Sequence, residues 1–378
     1  MRYEKLFLTG LLGACAACST ASQDSVSLPI EVVGEPADGE GPSGVAVLGN
    51  GSHRVDALKV DIVARARDGL NGPTDLAFHP EVAGQVWLTN RSDNSVVIFD
   101  AFGTATQTAS RRSSAGSEHF LSKPAALAFG AAGVLATAQQ EDQVTQPSTP
   151  ADFMGPTLWT SDAATFDAGH SSHLDMLHNS PNASGIAWET GNAFWVYDGG
   201  HGALTRYDFQ ADHDLGGTDH QDGVVKRSAD GMLGYLPGVP AHITLDYETG
   251  LLYAADPANN AIMVLDTKSG TAGGAIGPNY DGTKQSMIEG AMLTKLVDGA
   301  AVEGMLAPSG LELDEGILYV SDNQSSMVFA FDLNGKLLDY LPTGRPAGSL
   351  MGLAIGPDGS VHVVDHLANA VIRLSAKP

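Results

Sequence analysis

An apolar strand that follows Pro or a small residue, a Gly-rich turn and a second strand, which in five copies ends at Asp or Asn, recur six times along this chain. This recurrence limits the possible folds more than any other feature. The copies are residues 72–77 with 86–90, 123–128 with 134–137, 183–187 with 194–198, 240–244 with 252–256, 308–312 with 318–322, and 350–354 with 361–365. Third strands follow at 95–100, 203–208, 261–266, 327–332 and 370–374. Aligned on Asp75, Ala126, Gly185, His242, Gly310 and Gly352, successive units lie 51, 59, 57, 68 and 42 residues apart. Each interval has room for a four-stranded meander and a variable loop.

One such meander is apolar on both faces, so neighbours must cover it on both sides, and the stacking ends only when a circle closes. The expectation is an all-β, six-bladed β-propeller of four-stranded antiparallel blades over residues 55–378. A β-sandwich and a seventh blade around Val45 are the alternatives. The repeat resembles the NHL-repeat β-propeller family. Residues 57–66 alternate, are rich in β-branched side chains and have no blade of their own, so they are expected to close the ring as the outer strand of the last blade. In blade two the polar run 139–150 postpones the third strand to Thr157-Leu158-Trp159. A second insertion occupies 270–307, and the apolar spacing of 287–297 predicts a short helix there.

Ahead of the repeats, Arg2 and Lys5 precede a short apolar run, residues 6–12, that is too brief to span a bilayer. The run leads into Leu12-Gly13-Ala14-Cys15, which resembles a bacterial lipobox. The resemblance implies a signal peptide over 1–18, lipidation of Cys15 and a cell-envelope address, with the membrane reached only through the lipid anchor. Residues 19–54, rich in Ser, Gly, Pro and acids, read as a tether, although Pro42-Ser43-Gly44-Val45-Ala46 resembles the start of a repeat. Cys15 and Cys18 are the only cysteines, so the folded body has neither disulfides nor thiolate chemistry. A net charge of −24 repels phosphate backbones and excludes nucleic acid as a partner.

Histidine is unevenly spread: seven of the twelve fall between His170 and His242. Imidazole is the commonest metal ligand and titrates near neutrality, so crowding it costs stability unless a cation or an acid holds the rings. The segments are 170–181, with His170, His173, Asp175 and His178; 212–223, with His213 and His220 among Asp212, Asp214, Asp219 and Asp222; and His242. His242 stands where other blades carry Gly, Ala or Asp, on an innermost strand where a large ring must enter the channel. The expectation is a divalent transition metal, zinc or copper, near the channel mouth. Its ligands are expected to be His178, His213, His220 and His242, with Asp175, Asp219 and Asp222 orienting the rings or replacing a ligand. The acidic loop 212–222 also admits calcium, although it lacks the EF-hand spacing.

Val239-Pro240-Ala241-His242 is similar to the inner-strand start of the peptidyl-hydroxyglycine amidating lyases, whose channel histidines hold zinc. That resemblance implies a metal-dependent lyase or hydrolase, but Ala126 and Gly352 stand where its other histidines would be. The chain has no Gly-x-Ser-x-Gly elbow, P-loop or His-Glu-x-x-His, and no dinucleotide fingerprint between strand and helix. The second expectation is therefore a non-catalytic, monomeric propeller that binds a small molecule, a peptide, a glycan or an envelope protein at the channel mouth. The strand-end residues Asn90, Asp198, Asp256, Asp322 and Asp365 recur in register and are expected to cap turns.

Overall fold

The computed structural model describes residues 44–113, 120–144, 153–166 and 172–377. Cys15, Cys18, His119 and His170 lie outside them, as do the signal segment and most of the tether.

Six four-stranded blades form a ring. Blade one is β2 (Pro73–Phe78), β3 (Val86–Asn90), β4 (Ser95–Asp100) and β5 (Thr108–Arg112). Blade two is β6 (Pro124–Phe129), β7 (Val134–Gln139), β8 (Pro156–Thr160) and β9 (His173–Met176). Blade three is β10 (Ala183–Thr190), β11 (Ala193–Asp198), β12 (Ala203–Asp208) and β13 (Val224–Ser228). Blade four is β14 (Ile243–Asp246), β15 (Leu251–Asp256), β16 (Ala261–Asp266) and β19 (Leu293–Asp298). Blade five is β20 (Pro308–Asp314), β21 (Ile317–Asp322), β22 (Met327–Asp332) and β23 (Leu337–Pro342). Blade six is β24 (Leu350–Ile355), β25 (Val361–Asp365), β26 (Ala370–Ala376) and, on its outside, β1 (Leu58–Ala64).

The closing strand behaves as its alternating pattern predicts: β1 runs antiparallel to β26 from Leu58 opposite Ala376 to Ala64 opposite Val371. Each seam between blades holds its own apolar cluster. Between blades one and two, Trp87, Val96 and Ile98 meet Leu127, Leu135 and Trp159. Between blades six and one, Met351, Val364 and Val371 meet Leu76, Leu88 and Phe99. Wholly buried side chains such as Trp87, 0% exposed, are worth several kcal/mol each to such a seam.

The strand-end polar residues do cap turns, and they also tie in the chain entering each inner strand. Asp322 Oδ1 accepts from Ser325 N at 2.8 Å, while its Oδ2 accepts from Leu306 N and Ala307 N, both at 2.7 Å. Asp256 accepts from Asn259 N and from Gly234 N in the same way.

Two expectations are corrected. Residues 287–297 are not helical: β17 (Thr271–Ala275) and β18 (Lys284–Glu289) form a hairpin, and β19 follows. The hairpin leaves blade four and lays β18 parallel to β13, which widens blade three to six strands. Met287 and Ile288 are the only apolar residues of β18 and both stay half-buried, which suits that added edge, and the helical periodicity is incidental. The tether also ends earlier than residue 54. Val45 and Leu48 are buried in the cluster between blades five and six, and Val45 N and Gly51 N donate to the buried Asp339 Oδ2 at 2.8 and 2.9 Å. This stretch forms a 3-10 turn, Ala46–Leu48, and not a seventh blade.

His362, on β25 at the closing seam, is packed against Phe78 and Phe102. Burial pushes its pKa down to about 4, with Asp358 opposing and Arg373 adding to the shift. Its folded value lies below its unfolded one, so stability is full above about pH 6.5 and is lost as pH falls toward 4. From pH 7.5 to 4.5, urea unfolding is expected to show the native chain losing about 2–3 kcal/mol more than His362→Phe. Equal losses would remove His362 as the cause.

Candidate functional sites at the rim and on the axis

The histidine-rich segments converge on the outer rim. Strand β9 is the outermost strand of blade two, and its alternation turns His173 and Asp175 to one face. The loop after β12 folds over that strand: His213 N donates to Leu174 O at 3.1 Å and Gly216 N to His173 O at 3.0 Å. This brings Asp175, His213 and His220 together, with one ligand atom from each lying within 4.8 Å of the others. His220 Nδ1 is 2.7 Å from Asp175 Oδ1, and the His213 ring lies 4.9 Å from that of His220 and 5.0 Å from that of His173. His213 Nδ1 is held by Asp214 O at 2.7 Å, which leaves Nε2 facing inward.

Two buried atoms of this cluster, Asp175 Oδ2 and His213 Nε2, have no hydrogen-bond partner. Burial raises the Asp175 pKa above the ordinary carboxylate value, an effect that the hydrogen bond and charge of His220 only partly offset. The arrangement has two imidazoles and one carboxylate. Such a donor set suits a divalent transition metal.

His178 and His242 do not join this cluster. His178 is held in the connection from β9 to β10, where its Nδ1 and backbone N both meet Asp281 of the β17–β18 connection at 2.7 Å. It pins the added hairpin against blade two. Asp219 and Asp222 turn to the loop's own backbone, accepting from Gln221 N at 3.3 Å and Ala211 N at 3.2 Å. Neither accepts a hydrogen bond from an imidazole. Among the described residues no group of three acidic donors assembles in 212–222, so the calcium expectation gains no support there. His201 pairs locally with Asp198 at 2.9 Å. His79 is buried, with Nε2 3.3 Å from Ser161 O.

His242 lies where its sequence position placed it, on the axis. The starts of the inner strands crowd there: a Cβ at Gly185 would stand 2.0 Å from Ala241 O, and one at Gly352 would stand 2.5 Å from Asp75 Oδ1. His242 Nε2 lies 3.3 Å from Asp75 Oδ1, and Nδ1 lies 3.1 Å from Ser309 O. Burial alone would lower the His242 pKa, but the Asp75 charge and contact, with the Ser309 and Ala125 carbonyls, outweigh it and raise the value. Asp75 also accepts from Leu127 N at 2.9 Å and Leu76 N at 2.8 Å. This pair forms the floor of a cavity of about 750 Å³ lined by all six inner strands and opening where those strands end.

Glu312 stands in the wall of the same cavity. Burial, then the charges of Asp75 and Asp314, push its pKa up to about 8. The repeats carried a signal for it that residue-by-residue reading passes over. Two positions beyond the aligned start, the other blades have Ala77, Ala128, Ala187, Thr244 and Ala354, and one alone has a carboxylate.

No family model matches the chain, and no curated protein is similar to it. Among solved structures, the luciferin-regenerating enzyme is similar over 84% of this chain and 95% of its own, at 12% identity and a TM-score of 0.54. Virginiamycin B lyase from Staphylococcus aureus matches 84% of this chain and 99% of its own, at 12% identity and a TM-score of 0.50. An auxiliary nutrient binding protein from Bacteroides ovatus matches 82% of this chain and 70% of its own, at 12% identity and a TM-score of 0.53. At such identities the common element is the six-bladed propeller, on which lyase and binding functions both occur.

Proposed function

We propose that this protein is an envelope propeller of NHL type, lipid-anchored through Cys15, that holds a divalent transition metal at its rim. The observation that carries the metal reading is the pair of buried, unpartnered atoms, Asp175 Oδ2 and His213 Nε2, beside His220. Buried polar atoms left without partners cost stability, and a cation bonded to all three side chains removes that cost. The ligand set is therefore Asp175, His213 and His220. His178 and His242 lie outside this group of converging ligand atoms, against Asp281 and Asp75, and are left out of it.

Three protein ligands leave a coordination position open, as in sites where a metal polarises a carbonyl or activates water. Lyase or hydrolase chemistry at this metal is thus compatible with the donor set. The second reading, a non-catalytic propeller, is favoured by the separation of the large cavity from the histidine cluster. A metal at the rim would then clasp the 209–223 loop to blade two while the axis binds the ligand. The nutrient-binding and lyase descriptions of similar folds fit one reading each.

Elemental analysis of the purified protein after zinc loading and exhaustive dialysis is expected to give one metal per chain. Asp175→Asn and His220→Ala are expected to reduce it at least tenfold, and His242→Ala to leave it unchanged. Metal retained in the first two variants, or lost with His242→Ala, would refute the ligand set. For the address, Cys15→Ser is expected to move the protein from the membrane fraction to the soluble fraction. Unchanged membrane association would argue against the lipid anchor.

A further inference from the structure

The axial cavity has a chemistry of its own. Its walls carry four aromatic rings, Phe78, Phe129, Trp188 and Tyr247, and its mouth carries Asp246, Glu248 and Glu315. Among the described residues no Lys or Arg lines it. At the floor, Asp75 is answered by two backbone N–H groups and by His242, so that pair is close to neutral overall. Glu312 has no such answer: its carboxylate receives no hydrogen bond or ion pair among the described residues. His242 Nε2 faces Asp75 Oδ1 at 3.3 Å in a residue only 5% exposed, so the floor offers no free charge to a ligand.

We propose that the channel is a binding site for an organic cation, an ammonium group on an apolar body, whose charge pairs with Glu312 while its carbon surface lies against the aromatic walls. Aromatic faces attract such cations, most strongly where water is displaced. The acidic mouth concentrates cations and repels anions, as does the charge of −24 on the whole chain. Phosphate esters and carboxylates find no cationic side chain to receive them except His242, whose charge Asp75 already neutralises. A bare divalent ion is poorly served, because it requires six or more oxygens and no group of three acidic or imidazole donors gathers around Glu312 among the described residues.

The groups facing Glu312 are Asp75 on β2, Asp314 on its own strand and Tyr247 after β14, with the His242 and Asp75 pair beneath. None supplies a positive charge that is not already spent, so nothing opposes the burial and the acidic neighbours that push its pKa up to about 8. A cation arriving beside it must displace that proton. Binding is therefore expected to release close to one proton per ligand at neutral pH and to strengthen as pH rises.

The test is calorimetric titration of the full-length protein with benzyltrimethylammonium, which has no proton of its own, in two buffers of different ionisation enthalpy. The expected result is saturable binding with proton release, its affinity rising roughly tenfold between pH 6 and 7 and levelling off above pH 8. Glu312→Gln, an isostere of the protonated acid that should fold normally, is expected to bind at least tenfold more weakly at pH 8 with no pH dependence. Phenylacetate is expected not to bind. Asp175→Asn, which removes a proposed rim metal ligand, should leave the titration unchanged, so the two sites fail or stand separately. Three outcomes would overturn the proposal: equal binding of phenylacetate, a flat pH profile in the native chain, or binding of calcium chloride in place of the organic cation.

Discussion

Each blade is a sheet with two apolar faces, and everything else in this molecule follows from the need to cover both. Five seams are made by blades consecutive in sequence, and the sixth joins the last blade to the first. That seam needs both ends of the repeat region at once. β1 supplies the outer strand of blade six, and Ala64 joins the apolar cluster that blade six shares with blade one. Circular closure also determines what the centre can hold. Six inner strands converge on one axis, so their starts nearly touch and only small residues fit, as the contacts around Gly185 and Gly352 show. Where a blade departs from small residues, with Asp75, His242 or Glu312, the side chain is driven into the common space, and the ring brings together groups from blades distant in sequence.

The same geometry explains why a very acidic protein can carry buried charges. Asp75 survives at the axis because backbone N–H groups from two blades point at it and an imidazole stands opposite. Asp339 does the equivalent at the rim, where it holds the 44–51 segment to blade five. In the cluster of Asp175, His213 and His220 two buried atoms have no partner, and Glu312, whose pKa burial pushes up to about 8, has no cation beside it among the described residues. Polar groups left unanswered in an otherwise well-bonded structure mark where an external partner fits.

Much of the architecture was legible in the sequence because a propeller writes its period into the chain. The six inner strands, the strand-end acids and the closing strand all follow from repetition and alternation. The β17–β18 hairpin was not legible, because its place is set by a parallel pairing with blade three that local periodicity does not encode. Of the site, His213, His220 and Asp175 were recognisable as a dense donor group. Their location was not, since only the pairing of the 209–223 loop with β9 takes them to the rim and away from His242. Glu312 was visible only by comparing equivalent positions across blades, the comparison that singled out His242.

The proposed chemistry falls in two places, a metal centre at the rim and an organic-cation site in the channel. Anomalous scattering from a crystal soaked in zinc tests that division most directly. The expected map has one strong peak bounded by Asp175, His213 and His220, and none near His242. A peak beside His242 and Asp75, or none at the rim, would contradict it.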